Sequence, residues 1–385
     1  MGGAALEIAA VQTFFFYGTL CHGPLLRTVL GREVALRPAR LPGHRVHWAA
    51  GEAFPLITAD PGAEAAGMLA EGLGPEDVAR LDFYEGGFGY DTSAVTVEAG
   101  AAVTARVYVA QPGRWTPGAD WVLADWVARW GDTVVAAARD FMRHFGQADP
   151  GRVLARYPLM LIRGGATVRA GAMATDHWRL RRRATPGDVV EERRREVYAN
   201  YFAVEEYDLR FRRFDGTMSA PVNRAVFISG DAAVVLPYDP ARDRVLVIEQ
   251  FRAAPHARGD RNPWQIEAIA GRVDGGETPE AAARREAREE AGLDLSALIP
   301  AAAYYPSPAA KGEYLYTYVG LADLPDDAAG LGGLASEAED IRAHVIGFDA
   351  VLAMADSGEI DNAPLLMLVL WLERRRDALR RAAGA

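Results

Sequence analysis

Residues 271–293 read GRVDGGETPEAAARREAREEAGL, and three glutamates, Glu286, Glu289 and Glu290, fall within five positions. Residues three and four apart share one side of a helix, so this spacing gathers three carboxylates together. Like charges placed four apart cost a helix roughly 0.2–0.5 kcal/mol per pair. A solvated acidic face is one reading of such a cluster. The other is a cation held between the carboxylates, and hard oxygen donors suit Mg²⁺ or Mn²⁺. Such an ion polarises phosphoryl oxygens, lowers the pKa of a water and neutralises a leaving group. On the second reading, the chemistry on offer is that of a metal acting as a Lewis acid.

The surrounding sequence supplies the elements that would place these groups. Thr278 is suited to cap a helix over 278–290, with Pro279 at its first position. The glycine-rich loop 271–276 brings backbone close to the same place. Upstream, AAVVLPYDPARDRVLVIEQFR reads as two strands around a DPARD turn, and YDLRFRRFDG as a strand and turn. Strands over 314–321 and 344–348 and a closing helix over 362–381 complete a mixed α/β pattern.

Gly271, Glu277, Arg285, Glu286, Glu289, Glu290 and Gly292 stand at the spacing of the Nudix box, which this stretch resembles throughout. From residue frequencies alone, seven such positions would coincide on the order of once in 10⁵ chains of this length. The resemblance implies hydrolysis of a nucleoside diphosphate linked to another moiety. It also implies metal ligands at Glu286, Glu289, Glu290 and the carbonyl of Ala270, with Glu277 and Arg285 paired to orient the loop. Residues 198–381 are similar to bacterial ADP-ribose pyrophosphatases, in YFAVEEYDLRFRRFDGTMS, PWQIEAIAGRVDGGE, EAEDIRAHVI and GEIDNAPLLMLVLWL, and in Pro308 fifteen residues beyond Leu293. Ala309 and Ala310 follow that proline where many relatives have glycine. ADP-ribose would thus give AMP and ribose 5-phosphate with Mg²⁺ (or Mn²⁺). Glu290 would serve the reaction through the metal. Glu337 would be the base that activates water, with Glu339 as its rival. Arg252 would contact a phosphate, and Tyr201 or Phe202 would stack on adenine. A homodimer through this domain is implied, and Trp264 is read as packing. Another nucleoside diphosphate sugar is the alternative substrate.

Near the start, FFFYGTLCHG and LDFYEGGFGY resemble the gamma-glutamylcyclotransferase-like (AIG2-like) family. The expected domain is a mixed β-barrel with helices, ahead of a Nudix α/β/α sandwich. In such a domain Tyr17, Gly18, Thr19 and Leu20 would bind substrate, and Glu85 would shuttle the proton as an α-amine attacks a γ-amide to give 5-oxoproline. Thr92 stands where many relatives carry arginine, and Asp82 and Tyr84 are read as structural. A further alternative makes this domain the main actor, with the Nudix part sensing a nucleotide. Relatives with the same fused arrangement are linked to tellurite resistance.

A chain of 385 residues predicts two or three domains, with boundaries expected at 12–146, a connecting segment 147–200, and 201–383. Net charge −10 with a pI of about 5.3 argues against nucleic-acid or anionic-membrane partners. Cys21 is the only cysteine, which removes disulfides and cysteine-based zinc sites. No basic residue precedes the first apolar run, and the apolar stretch 364–372 is far too short to span a bilayer. A cytoplasmic protein is expected. Lys311 is the only lysine, so lysine-based mechanisms are almost excluded. A helix is predicted over 121–145, with Trp126 and Trp130 on one face. TPGDVVEERRREVYANYF reads as a charged helix entering an aromatic strand, and RLRRRATPGD as a linker or solvated basic surface.

Overall fold

The computed structural model describes residues 11–333 and 339–384. The chain divides into two compact units, Met1–Met173 and Ala174–Ala385. Helices Pro150–Leu154 and Tyr157–Gly171 lie inside the stretch read as a connector. They bury Val153, Tyr157 and Met160 in the core of the first unit. The basic stretch after them belongs to the second unit. Val189–Ala199 is a strand rather than the predicted helix. It pairs antiparallel with Ala203–Phe211, and cross-strand ion pairs join Arg194 to Glu205 and Arg195 to Glu206. Among the described residues no helix is long and apolar enough to cross a membrane.

The first unit is built on five strands that close on themselves: Gln12–Phe16, Leu36–Ala49, Pro55–Leu73, Tyr90–Glu98 and Ala102–Ala110. A short sixth strand, Pro117–Asp120, adds to Leu36–Ala49. Side chains alternate across a strand, and FFFY uses both faces. Phe15 and Tyr17 join one core with Leu41, Ile57 and Val107. Phe14 and Phe16 join a second core, which the helices Gly23–Leu30, Pro75–Gly87 and Asp132–Met142 help to build. The helix predicted over 121–145 is interrupted by a π-helical turn, Val127–Gly131. Trp126 is fully buried, and its indole N–H donates to the carbonyl of Ala53 at 2.8 Å. Trp121 and Trp130 both pack against the same core.

In the second unit, Ala232–Asp239 and Arg244–Phe251 are the central strands of an eight-stranded sheet. Both are apolar on each face, as befits strands covered on two sides. Ala233, Val235, Leu246 and Ile248 face the helix Pro279–Ala291. Val234, Leu236, Val245 and Val247 face Phe348–Ser357 and Ala363–Glu373. The predicted closing helix is broken at Arg374–Arg375, and a second piece runs Arg376–Ala382. These layers make an α/β/α sandwich.

Candidate active site

The helix Pro279–Ala291 begins where the sequence predicts: the Thr278 hydroxyl accepts from the amide of Ala281 at 3.2 Å. Three alanines, Ala282, Ala283 and Ala287, seat it on the sheet with no exposed surface. Glu290 follows the same buried side, at 2 % exposure. One of its oxygens accepts from the amide of Ala270 at 3.4 Å. Glu286 leans against the strand Ile269–Arg272 beside it. A Cβ on Gly271 would stand 1.8 Å from a Glu286 carboxylate oxygen, so glycine here lets a carboxylate lie on the backbone.

Gly271→Ala therefore acts on the end of a flexible side chain rather than on the fold. We expect about a 10²-fold loss of turnover, the scale of a 1 Å misplacement at a reacting centre. Melting should change little. Steady-state rates beside a melting curve check this; an unchanged rate would remove Glu286 from the site.

Arg285 holds the loop. Its Nε and Nη2 donate to Glu277 at 3.2 Å, and Nη2 also donates to the carbonyl of Arg272 at 3.0 Å. Nη1 donates to Glu286 at 2.6 Å and to Glu289 at 2.8 Å. All five guanidinium hydrogens are engaged, and glycine loop and helix are tied into one body. Glu289 is turned toward Arg285, and among the described residues no group of three or more His, Cys, Asp or Glu side chains is arranged to hold one ion.

Burial pushes the Glu290 carboxyl up to about 9, helped by the charges of Glu286 and Glu339. Burial likewise pushes Glu286 up to about 7, against the pull of Arg285. Two carboxyls this close and this desolvated resist ionising together. A divalent cation relieves that, so the donor set of Glu286, Glu290 and the Ala270 carbonyl fits one.

Glu337 lies outside the described residues. Glu339 is described, and its charge is felt by both Glu286 and Glu290. Arg252 is paired: its Nε and Nη2 donate to one oxygen of Glu267 at 2.8 and 2.7 Å. Tyr201 and Phe202 pack edge to face on each other, under the guanidinium of Arg272 at 3.9 and 5.0 Å. Tyr201 is 61 % exposed, which leaves ring surface for stacking. Trp264 is half exposed and meets the ring of Phe251. Sequence reading missed Glu267. Its one signal is a charged residue inside the largely apolar stretch WQIEAIAG.

A second site lies in the first unit. Tyr17, Gly18, Thr19 and Leu20 line a cavity with Phe54, Tyr84, Glu85, Phe88, Tyr90 and Tyr157. Gly18 fits because a Cβ there would stand 2.5 Å from the ring of Pro55. The Glu85 side chain accepts no hydrogen bond from the described residues, and no cationic side chain lines the cavity with it. Burial alone pushes its carboxyl up to about 8. Tyr84 hydrogen-bonds to Tyr157, and the hydroxyl of Tyr108 donates to Asp82 at 2.6 Å. The hydroxyl of Thr92 receives the guanidinium of Arg106, which reaches it from the neighbouring strand.

Residues 14–126 match the family model described as gamma-glutamyl cyclotransferase, AIG2-like, and residues 229–368 match the NUDIX domain. The chain is 40% identical over 187 residues to an ADP-ribose pyrophosphatase of Escherichia coli (strain K12), covering 49% of this chain and 88% of that protein. With an ADP-ribose pyrophosphatase of Haemophilus influenzae it shares 36% over 179 residues, 46% of this chain and 82% of that one. A GDP-mannose pyrophosphatase of Salmonella arizonae is 31% identical over 173 residues, 45% of this chain and 88% of its own length.

Proposed function

From a chain that belongs to the Nudix family and carries a gamma-glutamyl cyclotransferase, AIG2-like domain ahead of its NUDIX domain, we propose the Mg²⁺-dependent hydrolysis of ADP-ribose to AMP and ribose 5-phosphate. The observation that carries this reading is the pairing of half-buried Glu286 and buried Glu290 against Gly271 and Ala270. It stands in a chain whose similar proteins include ADP-ribose pyrophosphatases. When bound, Mg²⁺ (or Mn²⁺) would polarise the phosphoryl oxygens and lower the pKa of a water. Glu286, Glu290 and the Ala270 carbonyl would hold it, and Glu289 would join by leaving Arg285. Arg252 would bind phosphate through Nη1, which has no partner among the described residues. Glu337 or Glu339 would take the proton of the attacking water.

The test is incubation of the purified protein with Mg²⁺ and ADP-ribose, GDP-mannose and other nucleoside diphosphate sugars, with products separated by chromatography. AMP and ribose 5-phosphate formed fastest supports the reading. Faster cleavage of GDP-mannose or another sugar moves the substrate and keeps the reaction. No cleavage of any of them ends it.

The cavity around Glu85 supports a second activity. Its carboxyl, protonated near neutral pH and without a hydrogen-bonding partner among the described residues, suits proton transfer on a γ-glutamyl compound. Release of 5-oxoproline from γ-glutamyl compounds, lost in Glu85→Gln, checks it. The exposed apolar side chains Val189, Val190, Val197 and Tyr198 favour a homodimer through the second unit. Light scattering on the eluting protein tests that.

A further inference from the structure

Glu267 sits at the centre of a chain of hydrogen bonds that the activity proposed above does not use. One of its oxygens takes Nε and Nη2 of Arg252, and also the amide of Gln250 at 3.1 Å. Its other oxygen accepts from the side-chain amide of Asn362 at 3.2 Å. That same Asn362 nitrogen donates to the carbonyl of Ile266 at 3.2 Å. The Asn362 oxygen caps the helix Ala363–Glu373, accepting from the amide of Leu365 at 3.1 Å. That helix buries Leu365, Leu368, Val369 and Leu372 completely against the sheet. The line from a fixed helix end to a guanidinium is continuous: helix cap, Asn362, Glu267, Arg252. The charge of Arg252 in turn is felt at Glu290.

We propose that Glu267 and Asn362 are positioning residues, which hold Arg252 so that its Nη1 faces the diphosphate. This rests on the diphosphate reading of the site. A guanidinium tied through Nε and Nη2 has lost its rotamer freedom before the ligand arrives. The cap alone does not explain the arrangement. Serine and aspartate cap as well as asparagine, but aspartate has no hydrogen to give and the serine hydroxyl is too short to reach Glu267, whereas the amide does both.

Asn362→Ser separates the two roles, since serine keeps the cap and is too short to reach Glu267. In turnover of ADP-ribose we expect KM to rise about tenfold with kcat within twofold, at an unchanged melting temperature. In an Arg252→Ala background the same substitution should change KM by less than twofold, because the group it positions is gone. A direct readout needs no substrate. With ¹⁵N-arginine labelling, the Nε–H resonance of Arg252, identified by its loss in Arg252→Lys, should shift or broaden in Asn362→Ser and again in Glu267→Gln. An unmoved resonance overturns the proposal whatever the substrate is, and so do equal KM effects with and without Arg252. If wild type cleaves no diphosphate while the resonance does move, the positioning stands and the proposed activity falls.

Discussion

Glu290→Gln should reduce ADP-ribose turnover at least about 10³-fold while the protein stays folded. A factor of that size is about 4 kcal/mol of transition-state stabilisation, which is the scale of losing a metal's charge at a phosphoryl centre. Glutamine keeps the volume of a side chain that is 2 % exposed, and it still accepts from the amide of Ala270. What it loses is the negative charge. Any fold effect should be small, because in the metal-free protein that carboxyl is already held protonated, with its pKa near 9. The check is steady-state turnover over a wide range of Mg²⁺, beside circular dichroism melting. Undiminished turnover with correct folding would take Glu290 out of the reaction. A rate rescued at high Mg²⁺ would instead mark it as one ligand among several.

The second large effect concerns pH and the first unit. The Glu85 carboxyl has its pKa moved from 4.5 to about 8 by burial. The folded unit therefore binds one more proton than the unfolded chain between those two values. Stability falls as pH rises through that window, and the loss is complete above pH 8. Each pH unit between the two values contributes about 1.36 kcal/mol, so the whole effect is a few kcal/mol. Glu85→Gln has no proton to lose. In calorimetry of the full chain, the transition of residues 11–173 should match wild type at pH 5. At pH 9 the variant should melt several degrees higher. Equal melting at pH 9 would mean that Glu85 ionises freely and lacks the environment described above.

Short-range signals account for what the sequence made legible. The Thr278 cap, Pro279 and the helical spacing of the carboxylates are written within fifteen residues of one another, and the DPARD turn sits between two apolar runs. Each of these appears where its local pattern puts it. The strand Val189–Ala199 was hidden for the opposite reason. Its exposed, charged faces carry no apolar alternation, and its partners Glu205 and Glu206 come from the next strand. No local feature assigns the helices of residues 150–171 to the first unit, because only the finished core shows what Tyr157 and Met160 touch. The grip of Glu267 on Arg252 is likewise tertiary. It exists once the strand Trp264–Glu267 pairs beside Arg244–Phe251, with Glu267 opposite Ile248.

Closure of the five-stranded barrel has its own consequence for how the chain meets other chains. A sheet that returns to its first strand offers no long free edge to recruit a foreign strand. Among the described residues, only the four-residue strand Pro117–Asp120, with proline at its start, borders the closed ring. The four-stranded sheet of the second unit ends instead on Val189–Ala199, eleven residues that pair on one side only among the described residues. Arg193, Arg194 and Arg195 sit in the middle of that strand and act as gatekeepers against promiscuous strand addition. Heat-induced fibrillar association, where it occurs, should therefore be seeded from residues 189–199, and neutral replacements of those arginines should hasten it.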